Sequence, residues 1–178
     1  QSGAVFDFAK LEWMNGRYLA LKPNAEIWEG VKPFVFAWCE KEGIAPPTDV
    51  LGLRLADLLR ERLRRYTEAP QMVEYFLRDP VDFDEKGMKK FWKPETPEQL
   101  KRLIGQLENI QDWTAAAMEE VFERISGDLE LKRSDLIHPV RLALTGRTAT
   151  PGMFEVMEIL GKEVCLARMN KAITEFGS

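Results

Sequence analysis

Apolar residues recur at three- and four-residue spacing along almost the whole chain, and that period predicts helices. Asn24 can cap a segment whose face holds Ile27, Val31, Val35 and Trp38, ending near Gly43. Pro33 lies inside this pattern and predicts a late start or a kink. Thr48 can cap the next segment, with Leu51, Leu55, Leu58 and Leu59 as its stripe. Pro70 opens a short helix through Val73, Phe76 and Leu77. Thr96-Pro97-Glu98-Gln99 reads as a capping box with Pro at the first helical position. It leads a helix bearing Leu100, Leu103, Ile104, Leu107 and Ile110. Asp112 can cap 113–125, which packs through Ala117, Met118, Val121 and Phe122 until Gly127 stops it. Segments near 135–144, 151–160 and 162–176 complete the series. The nearest approach to a strand, 81–83, is too short and too acidic. The expected fold class is all-α. The polar, Pro-containing break Asp79-Pro80-Val81-Asp82-Phe83-Asp84 predicts two small helical bundles in tandem, over 1–79 and 80–178.

Composition changes this picture little. At 178 residues, with 45% hydrophobic and 30% charged residues, the chain suits one domain or two small ones. No run of about 18 apolar residues is present to span a membrane. No signal-peptide pattern appears, and a cytoplasmic protein is expected; a monomer is expected as well. Gln1-Ser2-Gly3 resembles the remnant of a cleaved expression tag and is left out of fold reasoning. Cys39 and Cys165 with a single histidine cannot assemble a structural zinc site, and read as buried free thiols of a reducing compartment. No metal site is expected.

The charge pattern matters more. A net charge of −4 fits a nucleic-acid partner only if the basic footprint is local. Arg54 to Arg65 supplies one: five arginines against Asp57 and Glu61 give +3. By helical periodicity Arg54, Leu58, Glu61, Arg62 and Arg65 fall on one broad face. The bland alternative is a solvated face, with Arg62 balanced by Glu61 or Glu68. A second candidate lies between His138 and Glu163. Here a helix carrying Arg141 is followed by a turn at Thr145-Gly146, and Thr150-Pro151-Gly152 then opens a helix through Met153, Phe154 and Glu155. Thr at the cap and Pro after it are a strong helix start. Free backbone N–H groups beside a cation suit phosphate or base contacts, although a surface helix–turn–helix with ordinary caps fits equally.

The segment RLALTGRTATPGMFEVMEILGKE resembles the C-terminal motif of bacterial glutamyl-tRNA synthetases. Phe6-Asp7, Lys10-Leu11, Trp13-Met14-Asn15-Gly16 and Tyr18 resemble the stretch where that family's tRNA-binding half begins. Trp113 and the helix after it fit between, so the resemblance covers nearly the whole chain in order. It implies an anticodon-binding region of a class I synthetase whose partner is glutamate tRNA, with the catalytic half absent. ATP and Mg2+ would serve the parent enzyme only. The catalytic signatures of that class are missing. Lys86-Gly87-Met88-Lys89-Lys90 mimics one of them without its serine and reads as a solvated turn. Gly161-Lys162 lacks the rest of a phosphate loop, and Gly161 is better read as a helix C-cap. His138 has no acid–base partner in view and reads as a helix-start residue.

The resemblance also implies site roles. The third anticodon base separates glutamate from glutamine tRNA, and discriminating members read it with an arginine that matches Arg62, with Arg60 and Arg64 as alternatives. Arg54 matches a second anticodon contact. Arg141 matches an arginine that stacks in the anticodon loop. Thr150, Pro151, Gly152, Met153 and Phe154 match the loop-to-helix segment against the other two bases. Trp13-Met14-Asn15 reads as a packing motif at the domain junction. The competing expectation is an all-helical protein-interaction module, or a degenerate relative that charges no tRNA.

Overall fold

The computed structural model describes residues 7–177. Gln1-Ser2-Gly3 and Phe6 lie outside the described residues. Ten α-helices, one 3-10 turn and no strand are present among the described residues. They form two compact units divided between Arg78 and Asp79.

The first unit holds α1 (Phe8–Ala20), α2 (Asn24–Glu42), α3 (Asp49–Leu59), a 3-10 turn (Tyr66–Glu68) and α4 (Ala69–Leu77). Helix α2 is its centre, packing against α3, the 3-10 turn and α4. It buries Ile27, Trp28, Val31, Val35 and Cys39, and it closes at Gly43 with a left-handed φ of 67°. It runs unbroken through Pro33, against the expected late start or kink. Pro33 is exposed, so solvent can reach the carbonyl left without an amide partner. Asn24 is not the cap. Pro23 takes that position, and Asn24 Nδ2 donates to Asp57 Oδ1 at 3.0 Å. Thr48 does cap α3, its Oγ1 accepting from Leu51 N at 3.3 Å. Trp28 Nε1 donates to Asp49 Oδ1 at 2.7 Å, and a Cβ at Gly52 would lie 2.2 Å from the Trp28 ring. The close α2–α3 approach therefore requires glycine there.

The second unit holds α5 (Glu85–Phe91), α6 (Thr96–Leu107), α7 (Ala115–Asp128), α8 (Arg133–Thr145), α9 (Met153–Leu160) and α10 (Lys162–Phe176). One core joins α6 to α10 through residues such as Leu103, Phe122, Val140, Met157 and Met169. Two indoles fasten its edges: Trp92 Nε1 donates to Phe176 O at 3.0 Å, and Trp113 Nε1 to Met157 O at 2.9 Å. Cys165 lies in the core and Cys39 in α2, both as buried free thiols. Burial raises both thiols, that of Cys165 to about 12.

Several caps differ from expectation. Glu95 sits at the α6 N-cap, while Thr96 is buried and its Oγ1 accepts from Lys93 N at 2.9 Å. Thr114 rather than Asp112 caps α7, accepting from Ala117 N at 3.3 Å. Gly127 does not end α7, which runs on to Asp128. Residues 85–91 form a helix rather than a solvated turn, because Asp84 Oδ1 accepts from Gly87 N at 2.7 Å as an N-cap.

Candidate functional site

In the first unit the arginine-rich stretch does not stay helical. Leu63 is fully buried, and α3 stops at Leu59 so that the chain can turn Leu63 into the core. Arg62 N and Leu63 N both return to Leu59 O, at 2.8 and 3.0 Å. The shared helical face expected for Arg54, Arg62 and Arg65 is thereby broken. Arg54 is exposed on α3, and Arg62 is exposed on the turn beyond it. Neither side chain has a hydrogen bond or ion pair with a described residue.

The neighbouring arginines are occupied. Arg60 lies 3.9 Å from Asp57. Arg64 NH1 donates to Glu61 O and Leu63 O, each at 3.4 Å, and its side chain packs on Gly16. Arg65 pairs with Glu12 and Glu68, each at 3.2 Å. Glu68 Oε2 also accepts from the backbone N of Arg64 and of Arg65. Asn15 Nδ2 donates to Arg64 O, so α1 grips the segment just after Arg62. The other side of α1 leaves Phe8, Leu11, Trp13, Met14 and Tyr18 half exposed or more.

In the second unit the expected residues do meet. Helix α8 carries Arg141, and Gly146 closes it with a left-handed φ of 69°. A Cβ at Gly146 would lie 2.1 Å from Asp82 O, so the turn and the 82–84 segment pack backbone to backbone. Asp84 N donates to Gly146 O at 2.8 Å, which closes that contact. Arg168, only 5% exposed, supports the end of α8 from beneath. Its NH1 donates to Leu144 O at 2.7 Å and its Nε to Asp79 Oδ1 at 2.9 Å. The chain then folds back so that Arg141 Nε donates to Thr150 Oγ1 at 3.1 Å.

Thr150 does not cap the helix. It is buried, and its hydroxyl donates to Pro151 O at 2.8 Å. Helix α9 starts at Met153 with Gly152 as N-cap and no side-chain acceptor. Its first amides therefore lack the usual side-chain cap. A Cβ on exposed Gly152 would lie 2.1 Å from the Glu155 carboxylate. Met153 is 3% exposed and belongs to the core. Phe154 is half-buried and meets the Phe122 ring edge-on at 5.1 Å. These two apolar side chains hold the helix down from inside and do not offer the surface expected of them. The accessible part of the segment is half-buried Arg141 and exposed Gly152, with Thr150 and Pro151 buried between them.

Sequence reasoning missed the residues beside Arg141. His138 lies within α8, not at its start, and stacks on Phe91 of α5 at 4.1 Å and 17°. Its Nδ1 lies 3.5 Å from Arg141 NH1. Burial, then Arg141, then Lys90 hold the imidazole below its ordinary value, so it is neutral at pH 7. A signal for α5 was present in the sequence. Lys86, Lys89, Lys90 and Lys93 keep helical spacing, but Gly87 disguised it. A Cβ at Gly87 would lie 2.2 Å from Thr148 Cγ2 and 3.2 Å from Leu142 Cδ2, so the glycine serves close packing. Among the described residues no cluster of His, Cys, Asp or Glu could hold a metal ion. No described helix is long and apolar enough to cross a membrane.

Residues 26–173 match the profile of a family described as anticodon binding domain. A glutamate–tRNA ligase from Syntrophomonas wolfei is 36% identical over 175 residues, covering 97% of this chain and 34% of the ligase. One from Desulforudis audaxviator is 35% identical over 179 residues, covering 98% and 36%. A crystal structure of a glutamate tRNA ligase from Elizabethkingia meningosepticum, in complex with its amino acid, superposes with a TM-score of 0.84 at 29% identity. That match covers 97% of this chain and 33% of the solved one. The chain thus spans about a third of the length of these relatives.

Proposed function

Since the chain belongs to the anticodon-binding domain family, we propose that it is the part of a glutamate–tRNA ligase that reads the anticodon of glutamate tRNA. The observation that carries this is Arg141, hydrogen-bonded to Thr150 at the uncapped start of α9. An anticodon loop is single-stranded. Its bases splay, stack on planar cations or aromatic rings, and bond through their edges. Arg141 supplies a fixed guanidinium plane for stacking. The amides at Gly152 and beyond supply donors for bases or phosphates. Met153 and Phe154 position that segment from the core.

Arg62 reads the third anticodon base and makes the chain discriminate against glutamine tRNA. Its guanidinium is unengaged while those of Arg60, Arg64 and Arg65 are committed to protein partners. A planar fork with all donors free can pair with two acceptors on one base edge. Arg54 adds a second contact from α3. Catalysis belongs to the portion of the ligases that this chain does not match, where ATP and Mg2+ serve amino-acid activation. The exposed apolar side of α1 fits packing against that portion in cis. The chain acts as a cytoplasmic monomer with no cofactor of its own.

The test is fluorescence anisotropy with two anticodon stem-loops at low salt, one carrying the glutamate anticodon and the other differing only by C to G at the third base. Preference for the first is expected. Arg62→Gln should remove about 1–3 kcal/mol of that preference, the worth of a bidentate pair. Equal binding of both loops by the unaltered chain would refute discrimination. An unchanged preference in Arg62→Gln would move the role to another residue.

A further inference from the structure

We propose that α5 is a phosphate-holding element, whose lysines Lys86, Lys89 and Lys90, continued by Lys93 just past its end, grip the sugar–phosphate backbone of the RNA that Arg141 meets. The inference rests on the anticodon-loop reading above and adds a second contact surface to it. Lys86, Lys89 and Lys90 recur at i, i+3 and i+4 on the helix Glu85–Phe91, and Lys93 follows just beyond its extended C-cap Trp92. Positions i, i+3 and i+4 form one stripe along a helix. All four side chains are exposed. The rest of the helix is committed to α8 and the loop after it. Gly87 abuts Thr148 and Leu142, Phe91 stacks on His138, and Thr148 Oγ1 donates to Asp84 Oδ2 at 3.3 Å. Helix α5 cannot roll its lysines inward without breaking these contacts.

The stripe is unneutralised. Elsewhere in the same unit, several exposed cations pair with carboxylates: Lys101 with Glu98 at 3.6 Å, Arg133 with Glu119 and Glu123, and Lys171 with Asp79 at 3.8 Å. Among the described residues no carboxylate lies within ion-pair distance of any of the four stripe lysines. Glu95 and Asp135 line a cleft of about 430 Å³ with Lys90 and Lys93. The stripe also continues into the candidate site. Lys90 Nζ lies 5.0 Å over the Phe91 ring, that ring stacks on His138, and His138 adjoins Arg141. An RNA strand whose base stacks at Arg141 would carry its neighbouring phosphates past α5. Backbone contacts of this kind give affinity and salt dependence but no base choice.

The experiment compares the unaltered chain with Lys86→Gln/Lys89→Gln/Lys93→Gln, leaving Lys90 on its ring. Binding to both stem-loops is measured by anisotropy from low to moderate salt. A control, Lys101→Gln/Arg102→Gln/Lys171→Gln, removes the same charge from α6 and α10. The α5 variant should lower the slope of log K against log salt by about 2, and weaken both loops about ten- to a hundredfold at 0.1 M salt. Its preference between the loops should persist. The control should keep most of the slope, and lysine-to-arginine changes on α5 should restore it. Circular dichroism melting checks that each variant is folded. An unchanged slope in a folded α5 variant, with preference intact in the unaltered chain, would overturn the stripe alone. A lowered slope with no preference in the unaltered chain would overturn the anticodon reading and keep the stripe. Failure of the unaltered chain to bind either loop would overturn both.

Discussion

Arg62 stands on an exposed turn with no side-chain partner, whereas Arg141 is half-buried and held by Thr150 and His138. The two arginines are thus equipped for different tasks. Arg62 keeps all of its donors, but ordering its long side chain costs up to about 2 kcal/mol of rotamer entropy at the moment of binding. Only a base edge that accepts both prongs of the fork offsets that cost, so the arrangement favours choice. Arg141 has already committed Nε and is ordered before any ligand arrives. It offers a plane rather than a fork, so it gives affinity with little discrimination. Placing one arginine on a loose turn and the other on a braced helix separates choosing from holding.

The contrast can be broken most severely at the support of the braced side. Phe122→Ala removes a fully buried ring and the edge partner of Phe154, and should cost about 3–5 kcal/mol of stability in urea unfolding. Next, Arg141→Ala should weaken both stem-loops alike by about 1–3 kcal/mol, a stacked base being worth that much. A selective loss for one loop would erase the proposed division of labour. Arg60→Gln and Arg64→Gln sharpen the other side. Both side chains are engaged by the protein, so each should alter third-base preference by less than about 0.5 kcal/mol, the usual range for surface changes. Thr150→Val removes the oxygen that accepts from Arg141 Nε and should cost about 1 kcal/mol of stability.

The smallest effect is one of pH. The folded protein holds His138 below its usual value of 6.5. The unfolded chain therefore binds the proton more readily, and stability is full above about pH 6.5 and declines as pH falls. Protonation would also set a second positive charge against Arg141. Melting curves from pH 7 to pH 5 should show the decline, and His138→Gln should flatten it. A decline of the same size in that variant would assign it to other groups.

The helices were legible because burial imposes its period on sequence. Val31, Val35, Leu100, Leu103 and Phe122 all face cores at the positions their spacing predicts. Helix ends were less legible, because several nearby residues can each supply a cap. Thr96, Asp112 and Thr150 all have suitable oxygens, and tertiary packing directed each one elsewhere or passed it over. The end of α3 was hidden for a related reason. Its arginines are good helix formers, but Leu63 gains more from the core than the helix gains from three further residues. At the candidate site, Arg141 and Thr150 were legible because they flank a single turn. The stack of His138 on Phe91 was not, since two helices distant in sequence must pack before the rings can meet.

The two buried thiols give the molecule a timing device. Cys39 belongs to the first unit and Cys165 to the second, and the chain has no other cysteine. A thiol held near 12 is thiolate in roughly one molecule in ten thousand at pH 8, and only the thiolate reacts with an alkylating reagent. Labelling of Cys165 must therefore wait for its surroundings to open, and the rate at which mass is added reports how often that happens. Peptide mapping distinguishes the two sites, so a single reaction mixture records the opening of each bundle separately. Any RNA that closes down on Arg141 should slow the Cys165 clock, with no dye or tag attached to the protein.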